Sequence, residues 1–146
     1  MSPTRTLHPF HLAFPVTNLA EARAFYGELL GCPEGRSSEA WVDFNLFGHQ
    51  LVAHRVSALS AEVGSSDVDG HAVPVRHFGL VLPLDEWEAL VRRLDERGAR
   101  YLMRPSLRFE GTPGAQRTFF VLDPSGNALE FKAMVNPEAL FARFDD

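Results

Sequence analysis

Three residues of this chain carry side chains suited to holding a metal ion, and their positions are related. His11 and His77 each fall in the opening strand of a segment whose order of elements then recurs, and Glu130 falls in the last strand of the second segment. Two imidazoles and one carboxylate make the 2-His-1-carboxylate set, which suits iron(II), manganese, nickel or zinc and leaves coordination positions open. Glu130 also interrupts an apolar stretch, Ala128 to Ala133, which predicts an inward carboxylate in need of a partner. Taken singly, each residue has an ordinary reading. A histidine in an apolar strand is more often a hydrogen-bonded core residue, and a strand glutamate more often faces water. Repeat-related placement is what favours a joint role.

The elements that must position these residues follow from hydrophobic periodicity. Residues 10–16 read as a strand. Asn18, with Glu21 three residues on, reads as the N-cap of a helix carrying Leu19, Ala22, Phe25, Leu29 and Leu30, stopped by Gly31 and Pro33. Strands are expected at 41–47 and 50–56, around a turn at Gly48-His49. The small, polar stretch 57–70 reads as linker. A strand over 75–82 then opens a second round, followed by a helix capped by Asp85, with Trp87, Leu90, Val91 and Leu94 on one face, ending at Gly98. Strands at 99–103, 118–122 and 128–133 follow, the last two joined by the turn Asp123-Pro124-Ser125-Gly126. Asn136-Pro137 caps a short helix over 137–143.

Strand, helix and strands therefore occur twice, at about 8–56 and 74–134, around a linker at 57–73 in a single domain spanning 1–146. Aligning His11 with His77 and the turn at Gly48 with that at Gly126 puts Val52 opposite Glu130. The second segment is longer, and the surplus fits the Gly- and Pro-bearing stretch Arg104 to Arg117, which reads as a lid-like loop.

Bulk properties narrow the function classes. A net charge of −5 and the lack of a Lys/Arg cluster argue against nucleic acid, and no apolar run approaches the ~18 residues of a membrane span. The opening MSPTRTLHPFHLAF lacks the apolar core and cleavage site of a signal peptide. Cys32 is the single cysteine, so no internal disulfide forms, and no His or Lys adjoins it to activate the thiol. The expectation is a reduced, cytoplasmic protein with a small-molecule substrate. A chain of 146 residues buries roughly 70% of its unfolded surface without help, so a metal here would be functional rather than a folding staple.

At this point the residues carry a resemblance. FHLAFPVTNLAEARAFYGELLG at 10–31, HFGLVL at 77–82 and FFVLDPSGNALEFKAM at 119–134 resemble the vicinal oxygen chelate superfamily of glyoxalase I, extradiol dioxygenases and bleomycin-resistance proteins. Asp-Pro-Ser-Gly-Asn followed by Leu-Glu-Phe is the most specific stretch. The resemblance implies an α+β fold of paired βαβββ modules forming a curved mixed sheet around a central metal cleft. It also implies His11, His77 and Glu130 as the metal ligands.

The resemblance further implies that the isomerases and lyases of this superfamily carry a fourth ligand, usually glutamate, on the fourth strand, where it also serves as base. Here that strand, residues 49–56, has no Asp or Glu, and Val52 holds the corner. Extradiol dioxygenases use two His and one Glu, so the expected activity is an iron(II) dioxygenase acting on a catechol-like substrate. A glyoxalase-like isomerase or lyase and a small-molecule-binding resistance-type protein are the alternatives. His54, two residues beyond Val52 on the same strand face, is the candidate acid/base; Tyr101 is a candidate proton donor to a ring-opening intermediate. Arg108 and Arg117 flank the expected lid and could clamp a substrate carboxylate. Superfamily members commonly pair, so a homodimer is expected; light scattering at micromolar concentration should return twice the chain mass, and a monomer mass would refute it.

Overall fold

In the first unit, Val42, Phe44 and Leu46 alternate with Asp43 and Asn45 and so give one inner strand two distinct faces. The structure is a computed structural model; it describes residues 8–59 and 64–142, with backbone alone at 64–66 and 75. The chain divides after Leu59 into two compact units. No helix among the described residues is long and apolar enough to cross a membrane.

Unit one contains β1 (His11–Val16), α1 (Leu19–Ala22) continuing as a π-helix (Arg23–Leu29), β2 (Glu34–Ser37), β3 (Trp41–Leu46) and β4 (His49–Arg55). The sheet order is β1-β4-β3-β2, with β1 parallel to β4 and the other pairs antiparallel. Asn18 caps the helix as its type and spacing predict, its Oδ1 accepting from the Glu21 backbone N–H at 3.0 Å. The wide π turn, in which Leu30 N–H donates to Phe25 C=O, lets the adjacent Phe25 and Tyr26 both bury. Tyr26 is fully enclosed against Phe14 and Phe44, ring centroids 5.2 and 5.3 Å away. Strand β2 has no forerunner in the sequence reading, because all four of its residues are exposed and it shows no apolar alternation.

Unit two contains the β5–β6 hairpin (Gly64–Val68, His71–Val75), then β7 (His77–Val81), α2 (Leu84–Glu96), β8 (Tyr101–Arg108), β9 (Gln116–Leu122) and β10 (Ala128–Met134). A 3-10 turn, Pro137–Ala139, stands where a longer helix is expected, and residue 143 of that helix lies outside the described residues. Sheet order is β7-β10-β9-β8, with β7 parallel to β10. The two units thus share the βαβββ order and the same mixed pairing, as the α+β expectation requires.

Three local expectations give way. The described part of the supposed linker is largely the β5–β6 hairpin, closed by Asp69-Gly70 with φ of 48° and 84°. That dipeptide is a strong hairpin signal, hidden here by small polar neighbours; residues 60–63 lie outside the described set. Helix α2 starts at Leu84 behind Pro83, whose carbonyl accepts from Trp87 N–H at 2.9 Å, so Asp85 sits inside the first turn rather than at the cap. Its carboxylate still faces the positive end of the helix dipole. Finally, strands consume most of the expected lid: β8 runs to Arg108 and β9 begins at Gln116, leaving 109–115 as the connection. Pro105 is tolerated because β8 is an edge strand with register shifts.

Candidate functional site

Strand register decides which side chains share a face. In unit one His11 stands opposite Gln50, Val52 opposite Asp43 and His54 opposite Trp41. The period of two then puts all six on the face away from the helix, whose side holds Phe14, Val16, Val42, Phe44 and Leu51. In unit two His77 pairs with Ala128, and Glu130 pairs with Gly79 on one side and Phe120 on the other. Helix α2 covers the opposite face, where Trp87 packs on Phe119 and donates from Nε1 to the Phe131 carbonyl at 2.8 Å. The matching registers put Val52 and Glu130 at equivalent places, as the internal repeat predicts.

His77 and Glu130 face one another, Nε2 to Oε1 at 3.7 Å. Their other polar atoms are engaged. His77 Nδ1 donates to the Pro74 carbonyl at 2.8 Å, so in the neutral ring the Nε2 lone pair faces the glutamate. Glu130 Oε2 accepts from the Thr118 hydroxyl at 2.6 Å. The His77 ring sits edge-on to Phe120 at 5.2 Å, so its plane is fixed as well. Two ligand atoms each about 2.1 Å from one ion lie about 3.0–3.6 Å apart for angles of roughly 90–120°, so the pair, at 3.7 Å, stands just beyond the spacing of two corners of a shared metal site. A bonded second nitrogen and a bonded second carboxylate oxygen are the supports metal ligands usually have. Among the described residues no group of three or more His, Cys, Asp and Glu assembles as a metal cage.

The hairpin matters to this site. Its Val73 is fully buried against Phe120 and Met103, and its second strand supplies the Pro74 carbonyl that orients His77. Gly79 is needed beside Glu130, since a Cβ there would overlap the Glu130 backbone carbonyl. His11, exposed, places Nδ1 2.8 Å from Gln50 Oε1. Val52 is buried and His54 is exposed two residues further along β4.

Tyr101 goes elsewhere. Its ring packs on Phe119 on the helix side of the second sheet, and its hydroxyl donates to Asp95 of α2 at 2.8 Å. Burial, that hydrogen bond and the Asp95 charge push the phenol far above its ordinary range. It is a tie between sheet and helix, and the face carrying Glu130 lacks it. Arg108 is engaged by Asp69 at 2.8 Å and lies over the Phe109 ring, while Arg117 is exposed. Sequence reasoning missed Thr118, Gln50 and Asp43. The alternation Trp41-Val42-Asp43-Phe44-Asn45-Leu46 does mark Asp43 as sharing a face with other polar residues.

Comparison with known proteins agrees with this architecture. Residues 8–131 match the family model of the Glyoxalase/Bleomycin resistance protein/Dioxygenase superfamily. A glyoxalase/bleomycin resistance protein/dioxygenase from Alicyclobacillus acidocaldarius is 33% identical, with 92% of this chain and 96% of that one covered and a TM-score of 0.79. The fosfomycin resistance protein FosX of Listeria monocytogenes shares the fold at 17% identity, covering 93% and 100% of the two chains with a TM-score of 0.66. A putative glyoxalase family protein of Bacillus anthracis does so at 18% identity, 90% and 98% coverage and a TM-score of 0.61. No curated protein matches the chain. The chain belongs to the glyoxalase/bleomycin resistance/dioxygenase superfamily, the vicinal oxygen chelate group.

Proposed function

We propose that the chain is a metal-dependent enzyme holding a divalent ion on His11, His77 and Glu130, and that its reaction is an iron(II) extradiol-type cleavage of a small catechol-like substrate. The observation that carries the reading is the His77–Glu130 pair, facing at 3.7 Å with Nδ1 and Oε2 both otherwise bonded. His11 joins on the repeat register and the family resemblance. When bound, iron(II) supplies open coordination positions and one-electron chemistry for dioxygen.

The chain's own residues set the rest. Val52 at the fourth corner gives no ligand, which favours a three-ligand set over the four-ligand isomerase pattern. His54, exposed on the Val52 face of β4, would move a proton at the substrate hydroxyl through an imidazole nitrogen. Asp43 is the observation that favours the second reading, a glyoxalase-like isomerase or lyase. It lies directly opposite Val52 and brings a carboxylate to that face. Its engagement with Gln50 Nε2 at 3.2 Å weighs against a role as free base. A resistance-type binding protein would need no metal, and the supported His77–Glu130 pair weighs against it. The homodimer remains part of the proposal.

Protein purified without oxygen should contain iron, and the iron-loaded protein should consume oxygen with a member of a catechol panel. Nickel or zinc in place of iron, with oxygen-independent turnover of a 2-oxoaldehyde adduct, would replace the dioxygenase reading by the isomerase. Absence of any metal would favour the binding class.

A further inference from the structure

Gln50 offers its two amide atoms to two different residues. Oε1 lies 2.8 Å from His11 Nδ1, and Nε2 donates to Asp43 Oδ2 at 3.2 Å. Strand pairing builds the chain: Gln50 stands opposite His11 on β1 and opposite Asn45 on β3, and Asp43 is the next same-face residue along β3. Asp43 is 8% exposed, and Arg36 Nε stands 4.0 Å from the same Oδ2.

The chemistry of these groups leaves one consistent assignment of protons. A carboxylate only accepts hydrogen bonds, so the end of the Gln50 amide facing Asp43 is the NH2. The end facing His11 is then the oxygen, which also only accepts. His11 Nδ1 must carry the proton, and in the neutral ring Nε2 keeps its lone pair. A neutral imidazole in water prefers the proton on Nε2, the tautomer that blocks ligation there. We propose that Asp43 and Gln50 are positioning residues that hold His11 in its Nε2-ligating tautomer, Asp43 fixing the orientation of the Gln50 amide and Gln50 fixing the His11 proton.

Unit two solves the same problem by another route. The residue equivalent to Gln50 is Ala128, opposite His77, and it has no side-chain acceptor. There the Pro74 backbone carbonyl accepts a hydrogen bond from Nδ1–H. Two histidines at repeat-related positions thus carry the same tautomer by unrelated contacts, one through a side-chain relay and one through the hairpin. The purpose of the relay rests on reading His11 as a ligand; its geometry does not.

The test uses the metal-free protein at mildly alkaline pH and the nitrogen resonances of its histidine rings. In the wild type, His11 and His77 should both show a protonated Nδ1 and an unprotonated Nε2. Gln50→Leu should move His11 toward the Nε2–H form and leave His77 unchanged, which doubles as the check that the fold persists. Asp43→Ala should produce a partial shift, because the Gln50 amide is then free to turn over. Zinc(II) titration of Gln50→Leu should show affinity reduced about 10–100-fold, the usual loss when a ligand's supporting contact is removed. If Gln50→Leu disturbs the His77 resonances, Gln50→Met repeats the test with a closer shape. Wild-type His11 protonated on Nε2, or a His11 tautomer indifferent to residue 50, would overturn the proposal. A relay that behaves as expected in a protein without zinc affinity would sink the ligand reading and leave the positioning pair standing.

Discussion

Replacing Glu130 with alanine should abolish iron binding and oxygen uptake together. The carboxylate is one of three proposed ligands, so its loss leaves two imidazoles, too few to hold a labile ion at working concentrations. The same change strands the Thr118 hydroxyl, whose oxygen now donates to Glu130 Oε2 at 2.6 Å and which is fully buried. A buried hydroxyl without its acceptor costs about 1–3 kcal/mol, so Glu130→Ala should also unfold at lower denaturant concentration. Glu130→Gln separates the two effects. Its amide oxygen still accepts from Thr118, which should restore most of the stability, while a neutral ligand should leave metal affinity poor. Metal content after gel filtration, oxygen uptake and denaturant midpoints make the comparison. An alanine variant that retains stoichiometric iron would remove Glu130 from the ligand set.

His54→Ala should have a different signature: iron is expected to stay bound while turnover falls by about 10²–10⁴-fold, the usual loss for an acid/base group. The geometry behind this is the face of β4. His54 follows Gln50 and Val52 at intervals of two, opposite Trp41 on one neighbouring strand and Pro15 on the other. It belongs to no ligand pair and completes no support for one, so its removal should spare the metal. Oxygen uptake per bound iron, measured with the same catechol that the wild type accepts, reads the effect directly. Wild-type turnover in the variant would leave the proton transfer to another group, with Asp43 the carboxylate on that face.

Much of the frame was legible in the residues because its determinants are local. Apolar alternation marks β3 and β10, the apolar run Phe119 to Leu122 marks β9, Asn18 announces the first helix, and Gly48 and Gly126, with φ of 91° and 87°, mark the two closing turns. Those turns fixed the repeat register, and the register gave Val52 and Glu130 as equivalents before any pairing was known. Where local signals were weak or contradictory the reading slipped. Exposed β2 has no pattern, and the small residues around Asp69-Gly70 looked like linker. Pro105 and the glycines made a lid out of residues that the edge of a sheet absorbs. Tyr101 shows a further reason: a phenol in a strand faces one of two sides, and the β8 register shift decides which.

Residue type and spacing by themselves determined the two-module frame and the family likeness, and picked out the residues proposed as ligands. Only the tertiary structure decided how those residues are held. A side chain's polar partners come from strands that pair across the sheet, so Thr118 reaches Glu130 over 12 positions of chain and Gln50 reaches His11 over 39. Which ring nitrogen carries the proton depends on such partners, on a Pro74 carbonyl in one module and a Gln50 amide braced by Asp43 in the other. Side-chain periodicity repeats every two residues along one strand and carries no information about that choice, which is set where separate strands come into register.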